Sequence, residues 1–186
     1  RDAANNVSPD SASASATTAD TIAPTTPAGL VATAAGATTI NLTWSASTDN
    51  VAVTGYIVKR DGTALAPITT TSFSDTGRAS TTTYSYSVAA VDAAGNVSAY
   101  SAIASATTPD STPPTTPTGL VATAAVGEAT INLSWTPSTD NVAVTGYIVR
   151  RDGTQVGGLI TTTSYVDTGL LFGLTYSYTV MARDAA

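Results

Sequence analysis

INLTWSASTDNVAVTGYIVKRDGT, Ile40 to Thr63, returns as INLSWTPSTDNVAVTGYIVRRDGT, Ile131 to Thr154, at an offset of 91 residues. The stretch decides the fold because its periodicity is two. Ile40, Leu42 and Trp44 alternate with Asn41 and Thr43, which predicts a strand with one face on a core and the other in water. Tyr56-Ile57-Val58 follows Gly55 as a second strand, and Asp61-Gly62 and Asp152-Gly153 are strand-to-strand turn signals. Thr, Val and Gly dominate, and no apolar positions recur at helical spacing, so helix has no support; Ala34-Ala35 is too brief to nucleate one.

Working outward, TPAGLVATAA (Thr26 to Ala35) returns as TPTGLVATAA (Thr116 to Ala125), and TYSYSV (Thr83 to Val88) as TYSYTV (Thr175 to Val180). The chain holds the same unit twice, with single-residue insertions in turns. Its beginning, RDAANNVSPDSASASATTADTIAPTTP (Arg1 to Pro27), aligns with Val91 to Pro117 and reads as the tail of a preceding unit. The chain opens on RDAA and closes on RDAA, where the middle copy has Val91 in place of Arg. We therefore expect one two-unit period of an alternating array, seen through a window cut at equivalent points. The organisation read from this is residues 1–19 as the last strand of a preceding or neighbouring repeat, 20–108 as a first domain, and 109–186 as a second domain without its own last strand. Pro-rich linkers run over Ala23 to Pro27 and Pro109 to Pro117, stiffening and extending the chain.

Composition narrows the chemistry. Of 186 residues 11% are charged and 42% hydrophobic, with seven Lys and Arg against thirteen Asp and Glu, for a net charge of −6. The chain is neither a disordered polyelectrolyte nor a membrane protein, since no apolar run nears the ~18 residues of a spanning helix. The basic residues Arg1, Lys59, Arg60, Arg78, Arg150, Arg151 and Arg183 are scattered, which argues against nucleic acid and against a polybasic membrane anchor. Without cysteine or histidine there is no disulfide framework, no thiolate nucleophile and none of the usual zinc ligands. A Thr, Ser, Ala and Gly-rich acidic chain has the look of a secreted bacterial surface protein. With neither signal peptide nor initiator Met, it is expected to be a processed product or part of something longer.

Taken in order, the motifs P-x-G-L-x-A-T-A, the tryptophans Trp44 and Trp135, STDNVAVTGY (Ser47 to Tyr56, Ser138 to Tyr147), DTG, TYSYxV and DAAGN carry a resemblance over nearly the whole chain. Each unit resembles a fibronectin type III domain, of the bacterial kind found in secreted chitinases, cellulases and surface proteins. The resemblance implies an all-β fold of tandem immunoglobulin-like sandwiches of seven strands. It also implies a core filled by Trp44 and Trp135, with Tyr84 and Tyr176 at the corner whose hydroxyl bonds back to backbone. On the same pattern the second unit lacks its last strand, which would leave the preceding strand's edge open. The segment equivalent to that strand is Val7 to Thr18, in which Ser11-Ala12-Ser13-Ala14-Ser15-Ala16 alternates small apolar with polar residues as an edge strand should, and Val7, Ala12, Ala14 and Ala16 are its candidate strand-complementing residues. It suits either a covalently attached next repeat or completion of a neighbour's open sandwich by strand addition.

Several residues invite a chemical reading. Asp20, Asp49 and Asp92 of one unit, and Asp110, Asp140 and Asp184 of the next, are placed to converge near the pole where the linker enters, a start for the six to eight oxygens calcium needs. The competing reading, that Asp and Asn sit there to satisfy turn backbone, is preferred, so no metal or other cofactor is expected. Glu128 is the only Glu and lies in a turn with no equivalent in the first unit, so the paired carboxylates of glycoside hydrolysis are missing. Ser and Thr have no His base, and Lys59 becomes Arg150, which an activated amine would not tolerate. RDG at Arg60 and Arg151 reads as a turn. Tyr100 is the one aromatic platform for sugar, though edge packing explains it. Sequons begin at Asn6, Asn41, Asn96 and Asn132. The expectation is a non-catalytic extracellular structural protein, a repeat unit of a cell-surface or secreted fibre whose partners are like domains of the same or neighbouring chains. The alternative is a spacer or accessory module of a secreted polysaccharide-degrading enzyme, reaching polysaccharide through flanking domains.

Overall fold

A computed structural model describes residues 3–5 and 7–186. The chain forms two compact units, and no helix occurs among the described residues. The first sandwich is built from β1 (Ala28–Ala34), β2 (Thr39–Ser45), β3 (Val53–Arg60), β4 (Thr63–Ala64), β5 (Ser72–Thr76), β6 (Thr83–Asp92) and β7 (Ala104–Thr107). One sheet has the order β1-β2-β5 and the other β4-β3-β6-β7. The second repeats the plan with β8 (Thr118–Ala124), β9 (Ile131–Thr136), β10 (Gly146–Arg151), β11 (Thr154–Ile160), β12 (Ser164–Asp167) and β13 (Tyr178–Arg183). Its sheets run β8-β9-β12 and β11-β10-β13, with β13 at an edge.

The alternation in β2 sets the inner face: Ile40 and Leu42 are fully buried and Trp44 nearly so, while Thr43 and Asn41 face outward. They pack against Tyr56 and Val58 of β3 and Tyr86, Val88 and Ala90 of β6. Trp44 meets Tyr56 edge to face, with ring centroids 5.5 Å apart, as Trp135 meets Tyr147 at 5.4 Å. This geometry suits the ring quadrupoles. The tyrosine tips then reach past the core: Ser47 N–H donates to the Tyr56 hydroxyl at 3.1 Å, and Ser138 N–H to that of Tyr147 at 3.0 Å. Each latches the loop that carries STDN.

Arg60 pairs with Thr63, leaving Asp61-Gly62 as a two-residue loop with φ of 48° and 82°. Asp152-Gly153 does the same at 50° and 82°, closing Arg151 on Thr154. Positive φ at both central residues matches the right-handed strand twist, which is why Asp-Gly is favoured there. Gly55 is demanded by proximity instead: a Cβ would lie 2.9 Å from the Ile68 carbonyl oxygen, and at Gly146 it would lie 2.8 Å from that of Ile160.

The two units differ at the outer edge of the β6-type strand. In the first, Ser98 N–H donates to Ala90 O (2.9 Å) and Ser101 N–H to Val88 O (2.8 Å). Their hydroxyls in turn accept from Ala90 N–H (2.9 Å) and Val88 N–H (3.1 Å). Two serine side chains thus replace carbonyls in the ladder before β7 begins, and the buried Thr108 hydroxyl accepts from Thr82 N–H at 3.1 Å. In the second, no strand lies outside β13 among the described residues. Val180 and Ala182 are correspondingly half-buried, where Val88 and Ala90 are fully buried. Residues 7–18, read from sequence as such a last strand, belong to no sheet here and are exposed throughout.

Candidate functional site

Of the residues singled out in the sequence, Trp44 and Trp135 lie in the two cores at 6% and 5% exposure. Tyr84 packs half-buried against the first core. The Tyr176 hydroxyl accepts the Leu171 N–H at 3.0 Å. Val7, Ala12, Ala14 and Ala16 are exposed. The Lys59 ammonium sits 4.0 Å above the Tyr100 ring, occupying the aromatic face considered for sugar. Glu128 is exposed in the turn between β8 and β9, its carboxylate accepting the Thr130 hydroxyl at 3.2 Å.

A buried polar triad escaped the sequence reading. Arg60 Nη1 donates to both oxygens of Asp75 at 2.9 Å, and the Tyr86 hydroxyl donates to Asp75 Oδ2 at 2.8 Å. Arg151, Asp167 and Tyr178 reproduce it, the tyrosine bond being 2.7 Å. Asp75 and Asp167 are 5% and 3% exposed, so each carboxylate is enclosed by its partners. Burial, and then the bond to Asp167, push the Tyr178 hydroxyl well above the usual phenol range, while the bond to Asp75 raises Arg60. The sequence signal was present, in the RDG and DTG stretches and TYSY kept in both units, but those residues read as turns and core. The triad cross-links sheet to sheet and has no open coordination or nucleophile, so it is structural.

The convergence of aspartates is the feature that chemistry can use. One carboxylate oxygen from each of Asp20, Asp49 and Asp92 lies within 4.8 Å of the others, and the same holds for Asp110, Asp140 and Asp184. Asp20 belongs to the segment entering β1, Asp49 to the loop between β2 and β3, and Asp92 ends β6. Each acid is held by local donors. Asp49 Oδ2 accepts the N–H of Val51 (2.9 Å) and Ala52 (3.1 Å). Asp20 Oδ1 accepts Ile22 N–H and Asn50 Nδ2, both at 3.1 Å. Asp92, 3% exposed, takes Asn96 N–H at 2.8 Å and Asn96 Nδ2 at 2.7 Å. Burial pushes the Asp92 carboxyl up, but the Asn96 side chain and the amides of Asn96, Ala94 and Gly95 outweigh it and hold it below the usual range. Asp110 is likewise held low, by Thr112 N–H and then Asn141 Nδ2. The turn-satisfying reading of these aspartates therefore describes one oxygen of each loop acid. It leaves Oδ2 of Asp20 and Asp110 and Oδ1 of Asp49 and Asp140 closed to solvent with no donor among the described residues.

Comparison with known proteins places the whole. The family model for the fibronectin type III domain matches residues 23–107 and again 115–186. The chain belongs to the fibronectin type III family. Among curated proteins, its two fibronectin type III domains are similar to part of Exoglucanase B of Cellulomonas fimi, 44% identical over 199 aligned residues that cover 100% of this chain. They are 42% identical to Chitinase A1 of Niallia circulans, over 90% of the chain, and 47% identical to Exoglucanase A of Cellulomonas fimi, over 100% of it. The chain spans 18%, 24% and 23% of the length of Exoglucanase B, Chitinase A1 and Exoglucanase A.

Proposed function

We propose that this chain is a non-catalytic spacer or accessory segment of a secreted enzyme that degrades polysaccharide, its two fibronectin type III sandwiches setting distance and orientation between other domains outside the cell. The observation that carries the reading is that one stretch of sequence aligns over most or all of its length with parts of exoglucanases and of a chitinase, enzymes named for different substrates. A segment shared between differing hydrolases, and spanning under a quarter of each, does work that is independent of which glycan is cut. The chemistry agrees: the chain has no His or Cys and one exposed Glu, and of its buried carboxylates Asp75 and Asp167 are committed to the triads and Asp92 is bonded by Asn96. Rigidity is what a spacer needs, and proline-rich entries with laterally braced sandwiches supply it. The fibre reading rests on tandem repetition alone, and repetition serves a spacer equally.

The test is the denatured intact mass of the natural product, followed by hydrolysis assays. A mass far above the 18.5 kDa of this chain, with chitin or cellulose hydrolysis, is expected. Deleting residues 23–186 should leave turnover of a soluble oligosaccharide intact and lower turnover of the insoluble polymer. A species near 18.5 kDa, or a larger one without hydrolase activity, would reject the spacer and return the fibre to first place.

A further inference from the structure

We infer that each sandwich carries a calcium site at the pole where its leading segment enters, formed by Asp20, Asp49 and Asp92 in the first unit and by Asp110, Asp140 and Asp184 in the second. The acidic clusters alone do not make the case; the unpartnered oxygens do. Asp20 Oδ2, Asp49 Oδ1, Asp110 Oδ2 and Asp140 Oδ1 are each buried and accept no hydrogen bond from a donor among the described residues. A carboxylate oxygen shut away from water without a donor is costly unless a cation faces it. Among the described residues none of the six acids forms an ion pair. For Asp20, Asp49, Asp110 and Asp140 the donors among the described residues fix the opposite oxygen and leave the second for an external positive charge, while Asp92, whose two oxygens both accept from Asn96, would offer the ion a remaining lone pair.

Geometry and donor type select the ion. Donor atoms within 4.8 Å of one another fit around a single Ca²⁺, whose Ca–O bonds of about 2.3–2.6 Å allow oxygens up to roughly 5 Å apart. The donors are all oxygen, and the chain has neither His nor Cys, which removes the ligands that zinc and copper prefer. Three carboxylates from three separate segments, with Asp20 and Asp49 outside the strands and Asp92 at a strand end, suit calcium's large and irregular shell, completed by carbonyls or water, better than the strict octahedron of Mg²⁺. The arrangement occurs twice, with Asn50 and Asn141 bracing Asp20 and Asp110 in the same way, at 3.1 and 3.0 Å. The functional consequence is local. One ion would tie the entering segment, the loop after β2 or β9, and the end of β6 or β13 into one knot, stiffening the point at which each sandwich is attached to what precedes it. This holds whether the chain serves as a spacer or as a fibre.

Asp49→Asn and Asp140→Asn are the informative variants. Asn keeps an oxygen for the amides of Val51 and Ala52, or of Val142 and Ala143, and turns an N–H₂ towards the other acids in place of the ion. Calorimetric titration of the EDTA-stripped 186-residue chain with CaCl₂ should give two sites, with dissociation constants on the order of 10⁻⁴–10⁻³ M or tighter, as in extracellular modules. One site should remain in either single variant and none in the double. The melting temperature should rise with calcium in the parent but not in the double variant. In EDTA the double variant should melt at or above the parent, a result that a purely structural role for these acids would reverse. Absence of calcium binding up to about 10 mM, well above the weak end of that range, would overturn the inference. So would binding that survives in the double variant, or MgCl₂ binding as tightly as CaCl₂.

Discussion

Replacing Tyr86 by Phe removes one atom, the hydroxyl that donates to Asp75 Oδ2 at 2.8 Å, and leaves a ring that is 1% exposed with its packing unchanged. The lost bond is charge-assisted and buried, which sets the cost at about 1.5–3 kcal/mol. Asp75 keeps both bonds to Arg60, so no charge is stranded. Asp75→Ala is harsher: it orphans the buried Tyr86 hydroxyl and the inner part of an Arg60 side chain that is 24% exposed. Solvent access to the guanidinium discounts the ion-pair share, which places the loss near the lower end of the roughly 3–5 kcal/mol seen when a buried pair is broken. The assay is urea unfolding followed by Trp44 fluorescence in a Trp135→Phe background, so that one indole reports one sandwich. With a slope of about 1–3 kcal/mol per molar urea, Tyr86→Phe should lower the midpoint by on the order of 1 M. The double-mutant cycle with Asp75→Ala should return a coupling of about 1.5–3 kcal/mol. Tyr178→Phe should cost less, because Tyr178 is only half-buried. A coupling under about 0.5 kcal/mol, the level of additive independent sites, would refute the claim that the triad cross-braces the sheets.

Gly55→Ala places a Cβ 2.9 Å from the Ile68 carbonyl and should destabilise by about 1–3 kcal/mol of overpacking. Gly158→Ala, with no atom within 4 Å and no positive φ, should be neutral or stabilising in the same urea assay. Ser101→Ala deprives the buried Val88 N–H of its acceptor and should cost about 1–3 kcal/mol, with faster amide exchange at Val88 by NMR. Acid titration in EDTA should weaken the second sandwich through Asp110. Its folded carboxyl is held below the usual range, so its contribution is complete above the unfolded value of about 3.9 and is lost as pH falls through the lower folded value. Asp110→Asn should flatten that part of the pH dependence of the Trp135 midpoint, and an unchanged slope would remove Asp110 from the account.

What the sequence determined by itself was everything governed by neighbours along the chain. Alternation at Ile40, Leu42 and Trp44 declares a strand and its inner face, Asp61-Gly62 declares a two-residue turn, and the duplication declares two units, because period, φ preference and repetition are local properties. The tertiary structure alone decided what crosses between strands far apart in sequence. Asp75 reads as part of a turn until Arg60 and Tyr86 close on it. Ser98 and Ser101 carry no signal of their own among the many serines of the sequence, and only the fold puts their hydroxyls in the place of carbonyls in the ladder. The six aspartates read as turn caps until three segments bring them together with one oxygen of each loop acid left unpaired. The buried hydrogen bonds of the triad and of the two serines join residues 8 to 15 apart that do not share a strand, and the period-two and turn signals of the sequence carry no information on which strand partner a side chain will meet.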